Sequence, residues 1–251
     1  MSSVIYPDSL RLARHTTLLI KNLKMSLLID EYGILILTRS IIIWFVLHER
    51  QETMTTFESS SVLTPADWIS GPRQGQWTYA EYATLPDDGQ RYEIMDGVLL
   101  MAPSPTPSHQ TVVKWLTFYL TQCVDLAGLG TVFTAPLDIE LAPNRVVQPD
   151  VFVLRSENLG MVTPNRVVGA PDLVIEVTSP GTAAYDRLKK LDAYAQAGIS
   201  EYWIISPEMH TIEVLALYTD RYHSHGIFMD HDTLPSQLLP TLSVTVGQFF
   251  V

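Results

Sequence analysis

Three carboxylates in the later part of the chain stand at positions that packing alone does not explain. Glu176 lies inside the apolar run 173–177, Asp150 directly follows Pro149, and Glu93 lies inside the strand-like run 91–95. Taken singly, Asp150 is typical of a turn that opens a strand, and Glu93 of a solvated strand position. Taken together, the three supply the hard oxygen ligands that Mg²⁺ prefers. The residue types therefore predict a divalent-metal site.

Glu176 carries most of this argument because its strand is otherwise apolar. Alternation puts Asp172, Val174 and Glu176 on one face of the strand and three aliphatic side chains on the other. We expect both faces to be covered, so Glu176 is predicted to be partly buried. A buried carboxylate without a partner costs on the order of several kcal/mol. It therefore needs a cation, a hydrogen-bond donor or a proton.

The segment that follows Glu176 supplies a cation. Asp186, Lys190 and Tyr194 fall at i, i+4 and i+8, which places them on one face of a predicted helix. Two interpretations fit this spacing. Either Asp186 and Lys190 form an ordinary ion pair on the solvent side, or Lys190 reaches a reacting phosphate or its attacking water. The spacing alone does not choose between them.

The elements that must position these residues alternate between strands and helices. The sequence contains a capping box at 78–81 and a two-residue hairpin turn at 96–97. It also contains a helix start at 106–107 and a helix C-cap at 198. They predict a short helix, a hairpin, a helix to about residue 127, and a helix over 183–197. Strands are predicted at 131–134, 137–141, 146–154, 172–177, 201–205, 211–217 and 222–228. This order favours an α/β sheet of mixed direction with helices packed on it.

Several motifs occur in an order that resembles a known family. They are Tyr92-Glu-Ile-Met-Asp-Gly97, Gln148-Pro-Asp-Val151, and the runs 170–180, 186–190 and 194–205. They resemble the Uma-type family of restriction endonucleases, within the PD-(D/E)XK nuclease superfamily. The resemblance covers residues 77–217, and its most specific part is 171–203. It implies a restriction-endonuclease-like α/β fold, in which a mixed β-sheet is flanked by α-helices.

The resemblance also implies roles for individual residues. Asp150 and Glu176 would bind the metal, with Glu93 as the third carboxylate and the backbone carbonyl of Val177 completing the inner shell. The superfamily lysine usually stands two residues after the second acid, and Thr178 occupies that position here. The resemblance points instead to Lys190 on the following helix.

Three further residues near these motifs have weaker assignments. Lys189 is disfavoured as the catalytic lysine because it does not share the face of Asp186 and Tyr194. His109 matches a family position on the inward face of its helix, and it is either a catalytic auxiliary or a satisfied core histidine. Tyr194 is a second candidate auxiliary.

The composition suits a folded domain but not a simple nucleic-acid binder. Of 251 residues, 47% are hydrophobic, and the single cysteine excludes an internal disulfide and a multi-thiolate zinc site. One cysteine also fits a reducing cytoplasm. Residues 54–251 hold ten Lys and Arg against 22 Asp and Glu, a net charge of −12, whereas nucleic-acid binders are typically basic. Cations bound at a carboxylate cluster are expected to reverse the sign locally.

The N-terminal residues share no pattern with the rest. Residues 26–47 include an apolar stretch of fifteen residues, 33–47, with Arg39 in its middle. This stretch is too short and too charged for a membrane span. Either residues 1–53 are a weak membrane segment or translation starts at Met54, and we favour the second. We therefore expect an extension over 1–53, a flexible leader over 54–76 and a nuclease domain over 77–251.

Together these observations predict a metal-dependent endonuclease. We expect it to hydrolyse phosphodiester bonds in DNA with Mg²⁺, for which Mn²⁺ can substitute, in the cytoplasm and with a homodimer as one possible assembly. The alternative is a nuclease-fold binding module that has lost cleavage. The sequence has no glycine-rich phosphate loop, nucleophile elbow or zinc-protease helix, so kinases, serine hydrolases and zincins are not indicated.

Overall fold

The structure is a computed structural model that describes residues 63–179 and 181–251. The apolar segment 26–47 and the predicted start at Met54 lie outside these residues. Within the two described ranges, no helix combines the length and the apolar character that crossing a bilayer requires.

The strands form two sheets of six strands each. The first sheet has the order β1-β3-β2-β6-β5-β8, with β1 Thr64–Pro65, β2 Arg91–Met95, β3 Val98–Ala102, β5 Ile139–Ala142, β6 Arg145–Val147 and β8 Val167–Val168. The second has the order β12-β11-β10-β9-β7-β4, with β4 Gly130–Thr134, β7 Val151–Arg155, β9 Leu173–Val177, β10 Glu201–Ser206, β11 Thr211–Tyr218 and β12 Arg221–Met229. Each sheet contains one parallel pair, β5 with β8 and β9 with β10, among antiparallel ones. The predicted mixed α/β architecture is confirmed, with two sheets in place of the one expected.

The helices begin and end close to the predicted signals. They are α1 Tyr79–Tyr82, α2 Pro107–Cys123, α3 Ala183–Tyr185, a π-helical turn Asp186–Lys190, and α4 Leu191–Ala197, with 3₁₀ turns at Ser156–Met161 and Val246–Phe250. The Thr106 hydroxyl caps α2 by accepting from the His109 N–H at 3.3 Å, and α4 ends at Gly198, whose φ is 83°. The helix predicted to reach residue 127 ends at Cys123.

The second sheet is covered on both faces, as the alternation in β9 predicts. Leu173, Ile175 and Val177 pack in one apolar cluster with the inward side chains of α2. Val174 points the other way, into a cluster that includes Ala193 and Tyr194 of α4. Every residue of β9 is buried, so Glu176 sits inside the protein.

The chain crosses from one sheet to the other at Pro149, where a single strand over 146–154 was predicted. That prediction is wrong, because β6 ends at Val147 in the first sheet and β7 begins at Val151 in the second. Proline has no N–H to donate to a ladder, so it interrupts the pairing. Gln148 and Asp150, on either side of it, are thereby left at the junction of the two sheets with their side chains free for other contacts.

Residues 63–76, expected in the flexible leader, pack on the hairpin of β2 and β3. Thr64 pairs with Met101 across β1 and β3, and Ala66 is 1% exposed. The Gly75 N–H donates to the Gly97 carbonyl at 2.7 Å. The polar composition that suggested a leader belongs to a folded edge of the first sheet.

We predict that Gly97→Ala destabilises the protein more than Gly198→Ala. Both glycines have left-handed φ values, 77° and 83°. A Cβ at Gly97 would lie 2.5 Å from the Gly75 carbonyl oxygen, whereas one at Gly198 would meet nothing within 4 Å. Gly198→Ala should therefore cost only the left-handed penalty of about 1–2 kcal/mol, and Gly97→Ala about 1–3 kcal/mol more through overpacking. Equal losses in urea denaturation would show that Gly75 yields freely.

Candidate active site

A cleft at the junction of the two sheets collects the predicted site residues. Its lining includes Glu93, Asp150, Glu176, Asp186, Lys190, His109 and Val177. Glu93 comes from β2, Asp150 from the crossing after β6, and Glu176 from β9, so three separate elements deliver the three predicted acids. The sequence placed these residues correctly in one region, and their roles stay predictions.

Lys190 lies at the centre of this cleft. Its ammonium Nζ donates to Glu176 Oε1 at 2.8 Å and to Glu93 Oε1 at 3.2 Å, and it lies 3.9 Å from Asp186 Oδ1. The Lys190 side chain is 6% exposed, so the interpretation as an ion pair on the solvent side is wrong. Lys189, its neighbour, is exposed. The π-helical turn thus presents Asp186 and Lys190 together to the interior.

Glu176 is held by two donors. The Tyr194 hydroxyl donates to Glu176 Oε1 at 2.6 Å, beside the bond from Lys190. Burial raises the pKa of the Glu176 carboxyl to about 8. The positive charge of Lys190 opposes this effect, and the negative charges of Asp150, Asp186 and Glu93 add to it. Burial therefore disfavours the ionised form of this carboxyl in the absence of an added cation.

Asp150 has the opposite electrostatic character. Asp150 Oδ2 accepts from the Val177 N–H at 2.9 Å and lies 3.0 Å from His109 Nε2. Burial disfavours the Asp150 anion, but the contact with His109 and the Val177 hydrogen bond outweigh it and lower the pKa. His109 is therefore half satisfied, since its Nδ1 has no hydrogen-bond partner among the described residues.

Glu93 has one oxygen engaged and one free. Glu93 Oε1 accepts from the Gln148 backbone N–H at 2.9 Å as well as from Lys190. Glu93 Oε2 is buried with no partner within the described parts of the chain. The residue that orients Glu93, Gln148, was visible in the sequence only as the start of the Gln-Pro-Asp motif, and the contact could not be read from it.

Asp186 also belongs to the site, although the sequence suggested it only as a helix partner of Lys190. It is buried, and burial raises the pKa of its carboxyl to about 6. Arg91 is a second residue that the sequence did not single out, and it lines the same cleft. The position of Asp186 and Arg91 in the cleft depends on contacts between residues far apart in the sequence, so the tertiary structure was needed to find it.

The donor chemistry of the cleft fits a divalent cation, but the side chains are not gathered around one. Among the described residues, no three His, Cys, Asp or Glu side chains converge closely enough to hold a metal ion. Instead, the Lys190 ammonium occupies Oε1 of both Glu93 and Glu176. The unpartnered Glu93 Oε2 and the raised pKa of Glu176 both indicate that the site can accept more positive charge.

Comparison with known proteins first defines the class. A solved structure, a putative nuclease belonging to DUF820 from Anabaena variabilis ATCC 29413, superposes with a TM-score of 0.58. It is 20% identical, and the match covers 69% of this chain and 97% of that one. The likeness shows the restriction-endonuclease-like fold.

The family follows from the sequence match. Residues 79–247 match the Uma2 family, described as "Putative restriction endonuclease", and the chain belongs to that family. The comparison with curated proteins gives no match.

We predict that Glu176→Gln flattens the pH dependence of stability in a metal chelator. A carboxyl whose folded-state pKa is raised from 4.5 to about 8 contributes stability below pH 4.5 that is lost as the pH rises toward 8. Glutamine cannot ionise, so the variant should lose less melting temperature than the wild type across this window.

Glu157→Gln is the matched control, since the Glu157 side chain is 57% exposed. It should follow the wild-type profile. If Glu176→Gln follows that profile as well, the folded protein does not hold a proton on Glu176.

Proposed function

We propose that this protein is a Mg²⁺-dependent endonuclease that hydrolyses phosphodiester bonds in DNA, with Mn²⁺ as a substitute. The observation that carries the proposal is the meeting of Glu93, Asp150, Glu176 and Lys190 in one cleft of a nuclease fold. Membership of a restriction endonuclease family supports the nuclease class. Metal dependence is inferred from the carboxylate ligands, and DNA as the substrate from the likeness to restriction endonucleases.

Glu93, Asp150 and Glu176 are the proposed metal ligands, with the Val177 carbonyl beside them. When bound, Mg²⁺ would supply Lewis acidity to the phosphoryl group and to water. The protein holds these ligands in place through neutral donors: the Gln148 N–H on Glu93, the Val177 N–H on Asp150 and the Tyr194 hydroxyl on Glu176. Such support limits the reorganisation that binding a cation requires.

Lys190 is assigned to the developing charge of the reaction. Its ammonium donates to two of the three acids, Glu93 and Glu176, and the surrounding carboxylates raise its pKa against the opposing effect of burial. It therefore stays positive at any pH at which the protein works. A fixed positive charge stabilises the extra negative charge that a phosphoryl group gains in the transition state.

His109 is assigned a positioning role. Its Nε2 lies 3.0 Å from Asp150 Oδ2, which also accepts from the Val177 N–H, so His109 helps to fix the orientation of this carboxylate. A single active site would hydrolyse one strand of a DNA duplex, so concerted cleavage of both strands would need a homodimer with two clefts.

A binding module without cleavage is the competing function. The observation that favours it is that Lys190 occupies an oxygen of Glu93 and of Glu176, and the described residues hold no preformed three-ligand group. In such a module Lys190 would be a permanent substitute for the metal. The two functions differ in whether a divalent cation binds at all.

The first test is therefore metal binding together with cleavage. Mg²⁺ or Mn²⁺ should raise the melting temperature, because a ligand of the folded state stabilises it by mass action. The same ions should support cleavage of plasmid or single-stranded DNA that a chelator stops. Asp150→Asn should abolish both effects, whereas Asp220→Asn, a change at an exposed acid, should abolish neither. DNA binding with no metal effect on stability and no cleavage would establish the binding module.

The second test separates the two adjacent lysines. Lys190→Ala should lower the cleavage rate by roughly 10²-fold or more, the scale for loss of one electrostatic stabiliser. Metal should still raise the melting temperature of this variant, because an ammonium is not a ligand. Lys189→Ala should cleave at the wild-type rate, since Lys189 is exposed. A larger defect in Lys189→Ala than in Lys190→Ala would overturn the assignment.

A further inference from the structure

Arg91 lies beside one of the acids, Glu93, on the same face of the same strand. Arg91 and Glu93 are two residues apart in β2, so their side chains point the same way. Both line the cleft. Tyr92 and Ile94, between and after them, point into a separate apolar cluster. Arg91 is only partly buried, whereas Glu93 is 2% exposed, so Arg91 lies nearer the mouth.

The guanidinium of Arg91 is oriented by neutral acceptors. Arg91 Nε donates to the side-chain Oε1 of Gln148 at 3.2 Å, and Nη2 donates to the Gln148 backbone carbonyl at 3.0 Å. Gln148 is itself fixed, because its Nε2 donates to Asp138 Oδ1 at 2.8 Å. A guanidinium has five N–H donors, so most of those on Arg91 have no acceptor in the described structure. The Arg91 side chain is thus held in place while several of its N–H groups remain available to a ligand.

The charge of Arg91 is also uncompensated. Six of the ten Lys and Arg residues in 54–251 lie within ion-pair distance of a carboxylate, namely Arg145, Arg155, Arg166, Arg187, Lys190 and Arg221. Lys190 is the second cation of the cleft, and three carboxylates surround it. No carboxylate of the described residues forms an ion pair with Arg91. It is the cation of the cleft whose charge is available to a ligand.

We propose that Arg91 forms a phosphate-binding subsite at the mouth of the cleft, which takes a backbone phosphate next to the one at the acids. The inference rests on the proposed function, since it names how that site holds its nucleic-acid substrate. A planar guanidinium with free donors matches the oxygens of a phosphate. Residues two apart in a strand are about 6.6–6.8 Å apart, and Arg91 makes no ion pair with the acids. The phosphate on Arg91 is therefore a neighbour of the reacting one.

The test measures binding of fluorescent single-stranded and duplex DNA to the full chain in chelator, and cleavage kinetics in Mg²⁺. Arg91→Gln should weaken binding about tenfold, the scale for one hydrogen bond to a charged group. It should also reduce the slope of log affinity against log salt by about 0.7 for single strands or about 0.9 for duplex. In Mg²⁺ the loss should fall on KM, with kcat within about twofold of the wild type.

Two variants control for charge and folding. Arg221→Gln removes one positive charge from a side chain that is 83% exposed, and it should leave affinity and slope unchanged. Arg91→Lys keeps the charge but loses the planar fork, so its affinity should lie between those of wild type and Arg91→Gln. If Arg91→Gln does not melt cooperatively, Arg91→Lys carries the test.

A scan with neutral methylphosphonate linkages locates the subsite. One substituted position beside the cleavage point should weaken wild-type binding about as much as Arg91→Gln does, and it should have no further effect on that variant. Additive losses at every position, or an unchanged affinity and slope in Arg91→Gln, would overturn the subsite while leaving the nuclease intact. A wild-type protein that neither binds nor cuts DNA would overturn the proposed function itself.

Discussion

The burial of several carboxylates around a single ammonium is the constraint on which the rest of the site depends. Glu93, Glu176 and Asp186 surround Lys190, and Asp150 lies close enough to influence the same group. One positive charge cannot neutralise all of these acids, and ionised groups without compensation are costly away from water. The folded chain responds in two ways: it raises the pKa of Glu176 and Asp186, and it lowers the pKa of Asp150 through His109 and Val177. The cleft therefore holds more carboxylates than cations.

Two irregularities in the backbone make this arrangement possible. Pro149 ends one sheet ladder and lets the chain begin another, so the groups on either side of it face the junction of the sheets. Gln148 and Asp150 then hold Glu93 and contact His109 from a segment of three residues. The π-helical turn over Asp186–Lys190 is the second irregularity, and such turns are often found at functional sites. Regular structure at either place would present these groups differently.

The elements that could be predicted from the sequence are those whose causes are local. The Asp96-Gly97 turn, the Thr106 cap and the alternation in 173–177 depend on neighbouring residues, and all three are present as predicted. The break at Pro149 was missed because the apolar residues on both sides look like one buried strand, and nothing local shows that they join different sheets. The hydrogen bonds of Glu93 to Gln148 and of His109 to Asp150 join residues 55 and 41 positions apart. Glu176 could be named from its position in an apolar strand, and Asp150 and Glu93 from the family motifs, but the groups that orient them and the free guanidinium of Arg91 depend on the tertiary fold.

The net negative charge of the domain counted against nucleic-acid binding in the sequence. The positions of the cations show that it is compatible with binding limited to the cleft. Five of the ten Lys and Arg residues in 54–251 are already paired with carboxylates outside the cleft, so a polyanion finds few places to bind and is repelled elsewhere. A basic nuclease would bind DNA along its whole surface through counterion release, with little regard to the position of the active site. Under the proposed function, the positive charge available to a phosphate would be that of Arg91 and of a cation bound by the acids. Under the proposed function, the acidic surface would suppress non-specific binding, and the net charge of −12 over residues 54–251 would confine contact with a nucleic acid to the cleft.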